Sequence, residues 1–441
     1  MNTPKATAAW SIVAIATVHG LVHAFSIFLS PLNEEIRRYF LADAVSAVTA
    51  FKSTYLATYA ASNLFFGLLT NRISARRTLA IGLAVNGLAV AAFALVPPDG
   101  IGWMHALWLL AALGGGVYHP VANVLITRLY PEGKGRVIGY TGMGAALGFA
   151  LSPLMTMGLT SLFGFGWQEV ALAFGLFGVG VSLWVYATVQ DVAPLSSVGG
   201  PVSEPTQTGE AGERPAPTGE ASGVAGTGES SRTTARPRRP ASAGSGAFAG
   251  ILGVLIAVIL ISGAREMAMW SVLDISDFFL LRVLGETGHT GVFLFLLYAP
   301  GILIQPLAGS LSDALGRRWL ATVSFIVYGA SVGLAGVLPP EAVFLAYLGM
   351  GVGQAATIPT VEAFVADVAG PQLRGAAYGA FFTAGIALGS LGPGGTGAMV
   401  DLMGGGLPAF RLVLGVLGGL VLIAACFAPF VMRERVPATQ A

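Results

Sequence analysis

The sequence predicts an all-α membrane protein, twelve transmembrane helices in two pseudo-symmetric six-helix bundles, and three observations carry that expectation. First, 54% of the 441 residues are hydrophobic and only 10% are charged, against roughly 25% charged residues in a soluble domain. Second, apolar runs near the ~20 residues that a bilayer core requires recur along the chain. Third, a short hydrophilic turn between two such runs, Gly309-Ser-Leu-Ser-Asp-Ala-Leu-Gly-Arg-Arg318, has an echo about half the chain earlier, Gly67-Leu-Leu-Thr-Asn-Arg-Ile-Ser-Ala-Arg76, followed by Arg77. Gly67 aligns with Gly309 and Leu69 with Leu311, while Asn71 stands where Asp313 stands and Ser74 where Gly316 stands. A turn repeated at that interval between hydrophobic spans signals two homologous halves.

The apolar interiors must satisfy their backbone groups internally, which forces helix. A barrel would need short alternating strands, and the sequence has none. Span one is placed at 8–30 and carries His19 and His23. Span two, at 46–69, holds Lys52 and ends in the first basic turn, with Gly67, Asn71 and Arg72. Span three (78–97) is uninterrupted. Span four (103–129) carries Gly114-Gly-Gly116 and then His119-Pro120. Span five (137–160) is rich in glycine and ends Gly148-x3-Ser152-Pro153; span six is 169–190. Residues 191–246 are rich in Gly, Pro, Ser, Thr and Glu and cannot bury enough surface to fold, so a flexible cytoplasmic linker is expected there. It divides an N-terminal bundle, 1–190, from a C-terminal bundle, 247–441. Span seven (247–271) carries Arg265 and Glu266. Span eight (290–312) leads into the second turn, with Gly309, Asp313, Gly316, Arg317 and Arg318. Spans nine (319–338), ten (342–368, with Glu362), eleven (375–399, with Gly389-Ser-Leu-Gly392-Pro393) and twelve (408–432) complete the chain. Small residues in the interiors let helices approach and slide.

Most of the 23 basic residues fall in segments that share one side when the N-terminus is inside. The bias predicts a multi-pass protein of the plasma membrane with both termini cytoplasmic. The single cysteine, Cys426, leaves no intrachain disulfide and no cysteine metal cluster. A net charge of +1 gives no reason to expect nucleic acid. The first apolar run lacks a small-residue cleavage site, so no cleavable leader is expected. Nothing points to association beyond a monomer.

Ionisable groups at bilayer depth are costly and therefore point to function. His19 and His23 are one turn apart on one helical face. His119 precedes Pro120, which frees the carbonyl of Gly116 and marks a kink. Arg265 and Glu266 are adjacent, hence about 100° apart around a helix, and each is expected to meet a different helix rather than the other. Glu362 lies toward the inner end of span ten. The histidines read equally as hydrogen-bonded packing residues. A two-histidine metal site fits the i, i+4 spacing, but no carboxylate or thiol is near in sequence, so no metal and no cofactor is expected. Carboxylates and imidazoles can both carry a coupling proton, and Glu266 and His119 lead as candidates. Arg265 would attract an anionic group, with Tyr118, Phe25, Trp270 and Tyr298 as apolar walls. Pro120, Gly148, Pro153 and Pro393 are the expected helix-kink positions.

The second turn resembles the loop signature of the major facilitator superfamily, Gly-x-Leu-x-Asp-Arg-x-Gly-Arg-Arg/Lys, through Gly309, Leu311, Asp313, Gly316, Arg317 and Arg318; the first copy is eroded. The resemblance implies that the turn joins the second to the third helix of each half and that spans 1, 4, 7 and 10 line a central cavity. Those four spans carry His19, His23, His119, Arg265, Glu266 and Glu362. The span-five pattern resembles one associated with antiporters, with Ser152 in place of a glycine. His19, His119, Pro120, Gly148 and Pro153 are similar to positions of the fosmidomycin-resistance branch, but His23 and Val121 replace its acidic residues. These resemblances imply a secondary transporter working by alternating access on small-molecule substrates and protons in a lipid bilayer. Export of drugs or metabolites is the expected direction, with uptake of a small organic anion as the alternative. A non-transporting sensor would call for a foldable cytoplasmic domain, which 191–246 does not resemble. No nucleophile–base constellation or phosphate loop suggests an enzyme.

Overall fold

Polarity marks where a helix leaves the bilayer, not where it ends, and most differences between the expected spans and the observed helices follow from that. A computed structural model describes residues 4–70, 72–130, 134–191, 245–285 and 289–433. Asn71 and nearly all of the expected linker lie outside these residues. Helix α1 (Pro4–Ile27) turns through a short 3-10 segment into α2 (Asn33–Tyr39), followed by α3 (Ser46–Leu69) and α4 (Ala75–Ala92). Span four is two helices, α5 (Ile101–Gly115) and α6 (Tyr118–Leu129). The interruption falls at the last of the three glycines, where Pro120 lacks the N–H that would bond the Gly116 carbonyl. Helices α7 (Lys134–Phe163) and α8 (Trp167–Thr188) complete the first half.

The second half opens with α9 (Ser245–Leu284), which runs well past the expected end at 271. Span eight is broken into α10 (Thr290–Tyr298) and α11 (Pro300–Leu315), because Pro300 cannot donate within a continuous helix and sits instead at a first-turn position. Helix α12 is Arg317–Ala335. Spans ten and eleven are not separated by a loop: α13 runs from Val343 to Gly389, and the break falls at Ser390 before α14 (Leu391–Leu402). Pro393 therefore lies in the first turn of α14, where its missing N–H costs no bond. Pro153, by contrast, does not interrupt α7. The chain's last described helix is α15 (Leu407–Val431). Among the described residues, 11 segments are long and apolar enough to cross a membrane. The twelfth expected span is α3, 24 residues long and carrying Lys52 and Asn63 among its buried side chains.

Helix backbones touch where both faces are glycine or alanine, and the contacts pair up between halves. A Cβ on Gly87 would lie 2.8 Å from the Gly175 carbonyl, holding α4 on α8. In the second half a Cβ on Gly418 would lie 2.6 Å from the Gly329 carbonyl, holding α15 on α12. Likewise α1 lies against α7 at Gly20, Gly144 and Gly148, and α9 lies against α14 at Gly392, whose Cβ would meet the Met267 carbonyl at 2.5 Å. Small-residue contacts of this kind bring membrane helices together, and their recurrence in matching helices of the two halves is the structural counterpart of the repeated turn.

The halves meet chiefly along two seams, α3 with α13 and α14, and α7 with α10, and α2 also lies against α9. Gly394 N–H donates to Ser53 Oγ (2.9 Å) on the first. On the second, a Cβ on Gly291 would meet the Pro153 carbonyl at 2.6 Å. Hydrogen bonds that join the halves cluster at the end of the molecule farthest from the basic turns. There Asn33 Nδ2 donates to the Asp274 carbonyl (2.7 Å), Glu34 N–H to Asp277 (2.9 Å), and Val45 and Ser46 N–H to Asp401 (2.7 and 2.9 Å).

Candidate substrate and proton site

The close approach of α1 and α7 at Gly20 and Gly144 sets the first part of the site. It brings His19 Nδ1 to 2.8 Å from the Thr141 carbonyl oxygen. A carbonyl only accepts, so Nδ1 carries the proton and Nε2 presents its lone pair in the neutral ring. That Nε2 is buried with no hydrogen-bond partner. The α5–α6 break then turns His119 toward the same place. Ring centroids are 4.9 Å apart for His19 and His23, 5.0 Å for His19 and His119, and 5.6 Å for His23 and His119. Tyr118 stacks on His19 at 4.3 Å, and Phe149 stacks on His23 at 4.3 Å.

The second part lies on the other half. Arg265 and Glu266 are hydrogen-bonded to each other, which corrects the expectation that each meets a different helix. Long side chains bend across the 100° that separates neighbouring positions, and a charge at this depth has few other partners. Glu266 also accepts from Trp270 Nε1 (3.1 Å), one helical turn on. Glu362 on α13 lies within electrostatic reach of both members of the pair. So do Tyr298 and Tyr328. The two parts are joined by rings across the seam. Phe149 stacks on Tyr298 with centroids 4.7 Å apart and planes 11° apart, and lies 6.2 Å from Trp270. On the basic-turn side, His119 stacks on Phe382 of α13 at 6.4 Å.

The fold thus brings His19, His23 and His119 into one cluster and Arg265, Glu266 and Glu362 into a second. Tyr118, Trp270 and Tyr298 stand among them. Phe25 does not: it is fully buried inside the first half, against Phe28 and Gly178. Gly148 lies in close contact with the Gly20 backbone, within a continuous α7. Three residues escaped sequence reasoning. Phe149 could have been found as the aromatic beside Gly148 on the glycine-rich face. Asp274 and Asp277 sit three apart in an otherwise apolar stretch beyond the expected end of span seven. Lys52 is buried, donates to the Ser26 carbonyl, and lines a small cavity with Asn33, Trp108 and Asp274.

The basic turns are anchored within their own halves. Gly316 has φ +85°, a conformation that glycine alone adopts freely. Arg317 bridges Asp313 (3.3 Å) and Asp367 (2.5 Å), and Arg318 lies over the Trp319 ring at 4.7 Å. In the first turn Ser74 accepts from Arg77 N–H and donates to Asp191, which Arg76 also faces at 3.7 Å. Gly67 lies beside Pro120, and Arg72 is exposed with its N–H on the Leu69 carbonyl.

The family model of the Major Facilitator Superfamily matches residues 15–273 and 258–441. The chain belongs to that superfamily. It is a multi-pass membrane protein of a family of small-solute transporters. A stretch of 76 residues is 33% identical to an uncharacterised MFS-type transporter of Methanocaldococcus jannaschii; the match spans 17% of this chain and 19% of that relative. Among solved structures, a bacterial homologue of the human lysosomal transporter Spinster, inward-facing and unoccupied, superposes with a TM-score of 0.74 over 99% of this chain and 100% of that one, at 16% identity. The nucleoside transporter NupG gives 0.69 over 96% and 100%, at 15% identity. A POT family transporter in complex with 5-aminolevulinic acid gives 0.69 over 96% of each chain, at 13% identity. These likenesses concern the fold.

Proposed function

We propose that this superfamily member is a proton-coupled secondary transporter that exports small organic solutes by alternating access between its two halves. The basic turns and both termini face the cytoplasm, and residues 191–246 tether the halves. The reading rests on one observation: a continuous run of ring contacts, His23–Phe149–Tyr298 with Trp270 alongside, links three imidazoles of one half to the Arg265–Glu266 pair of the other. A solute seated among these rings touches both halves, and Glu266 is a proton acceptor on its edge. Aromatic walls with few charged groups suit a small solute with an apolar body. The glycine-rich α7, which resembles the antiporter pattern, supports export.

A second reading has its own support in the direct Arg265–Glu266 ion pair. Protonating Glu266 releases the guanidinium, which then takes an anionic solute in the proton-bound state; proton and anion travel together, and the transport is uptake. Reconstituted vesicles with an imposed pH gradient separate the two. Export predicts solute movement opposite to the proton, and uptake predicts movement with it. In either case Glu266→Gln is expected to lower gradient-driven flux about a hundred-fold, the low end for a lost proton-transfer group. Gradients of both signs that move no solute of a broad panel, together with an unaffected Glu266→Gln, would sink the coupling.

A further inference from the structure

The imidazoles His19, His23 and His119 form a cluster whose chemistry is not exhausted by a proton. One ring nitrogen from each of the three lies within 4.8 Å of the other two. A tetrahedral zinc ion with Zn–N bonds near 2.0–2.1 Å holds its nitrogens roughly 3.3 Å apart, so modest rotation of the rings closes the set around one ion. His19 is already arranged as such ligands are: its Nδ1–H is held by a backbone carbonyl, Thr141 O at 2.8 Å, and its Nε2 is buried without a hydrogen-bond partner. A carbonyl that accepts from the far ring nitrogen in this way fixes the tautomer and the ring orientation in metal sites. The sequence alone offered two imidazoles one turn apart; the α5–α6 break supplies the third from a different helix.

We propose that His19, His23 and His119 bind a divalent transition-metal ion of the zinc, cobalt and nickel class. Imidazole nitrogen suits these ions, whereas Mg²⁺ and Ca²⁺ require oxygen donors, which the cluster lacks. Three neutral ligands leave a four-coordinate ion one open position and its full charge. An anionic group of a solute, or a water, completes the sphere, and the carboxylates across the seam, Glu266 first, supply counter-charge. The proposal does not depend on transport direction or proton coupling, because binding is read at equilibrium with no gradient.

The test uses full-length, tag-free protein in lipid nanodiscs, stripped with chelator. Co²⁺ is titrated by its visible absorption, Zn²⁺ by competition against the bound Co²⁺, and Mg²⁺ serves as the control ion. The expected result is one saturable site per chain that Mg²⁺ does not occupy. Affinity is expected to be at least ten-fold weaker in His119→Gln and in His19→Gln, and unchanged in His289→Gln, which removes an imidazole elsewhere. In the wild-type protein, Zn²⁺ is expected to protect these three histidines from diethylpyrocarbonate, read residue by residue by mass spectrometry; this arm needs no variant to fold. No saturable binding of either ion, wild-type affinity in both variants, or protection absent from all three rings would overturn the site. Flux that proves independent of pH leaves it standing.

Discussion

Asp401 belongs to the second half and caps a helix of the first. Its carboxylate accepts from Val45 and Ser46 N–H, at the start of α3, where exposed amides and the helix dipole favour negative charge. Asp277 does the same for α2 through Glu34 N–H, while also accepting from Thr290 Oγ1 (2.8 Å). A lost cap costs about 1 kcal/mol, with a range of roughly 0.5–2, and 1.4 kcal/mol is a factor of ten in a population. Asp401→Ala is therefore expected to shift the molecule toward separation of the halves at this end by about five-fold. Spin labels on the outer ends of α3 and α14 would read it as a longer-distance population, and an unchanged distance distribution would deny Asp401 that role. These carboxylates were poorly legible in the sequence. Asp401 reads as a span-end residue, because polarity reveals depth but not the partner that a distant helix brings. Lys52 was visible as a charge inside span two, yet only the fold shows that it shares a cavity with Asp274.

At the level of helices, α1 and α7 are the pair on which the site depends. A Cβ on Gly148 would run into the Gly20 backbone, and one on Gly144 into that of Ala16. Gly139 and Gly142, on the same helix, have no atom within 4 Å of such a Cβ. Gly148→Val must push the helices apart, and overpacking of this kind costs typically 1–3 kcal/mol. It also draws Thr141 away from His19, which frees the ring that the backbone carbonyl holds. Thermal unfolding in detergent is expected to show a clear drop for Gly148→Val and none for Gly139→Ala or Gly142→Ala. Equal losses in all three would mean that the α1–α7 contact at Gly148 is not what sets the stability, because alanine at the two open positions only raises helix propensity. The element scale was the most readable from sequence: α3 begins and ends where its span was placed, and the glycines that proved to be contacts stood out by type. What composition could not reveal was which glycines face a neighbour, and where a helix continues beyond the apolar stretch, as α9 and α13 do.

Across the whole molecule, two like halves meet at α3–α14 and α7–α10, with bonds between them gathered at the end away from the basic turns. Each half carries its own anchored turn, Asp191 holding the first and Asp367 the second, so each can move as a unit. Alternating access as proposed requires the α3–α14 contact to open once in every cycle. A Cβ on Gly394 would lie 3.6 Å from the Ser53 Cβ, inside the ≈ 3.5–4.5 Å window of a disulfide. The single cysteine, Cys426, is exposed, and Cys426→Ser removes it as a background thiol. Ser53→Cys with Gly394→Cys is expected to cross-link on mild oxidation and to stop flux, with recovery on reduction. Either substitution alone should transport under both conditions. The bond adds no bulk to the ring-lined site and touches none of its titratable groups, so loss of flux on oxidation reports closure of one end and nothing else. A cross-linked protein that still moves solute at the uncross-linked rate would show that the halves need not part there, and the rocking of one against the other would have to be abandoned.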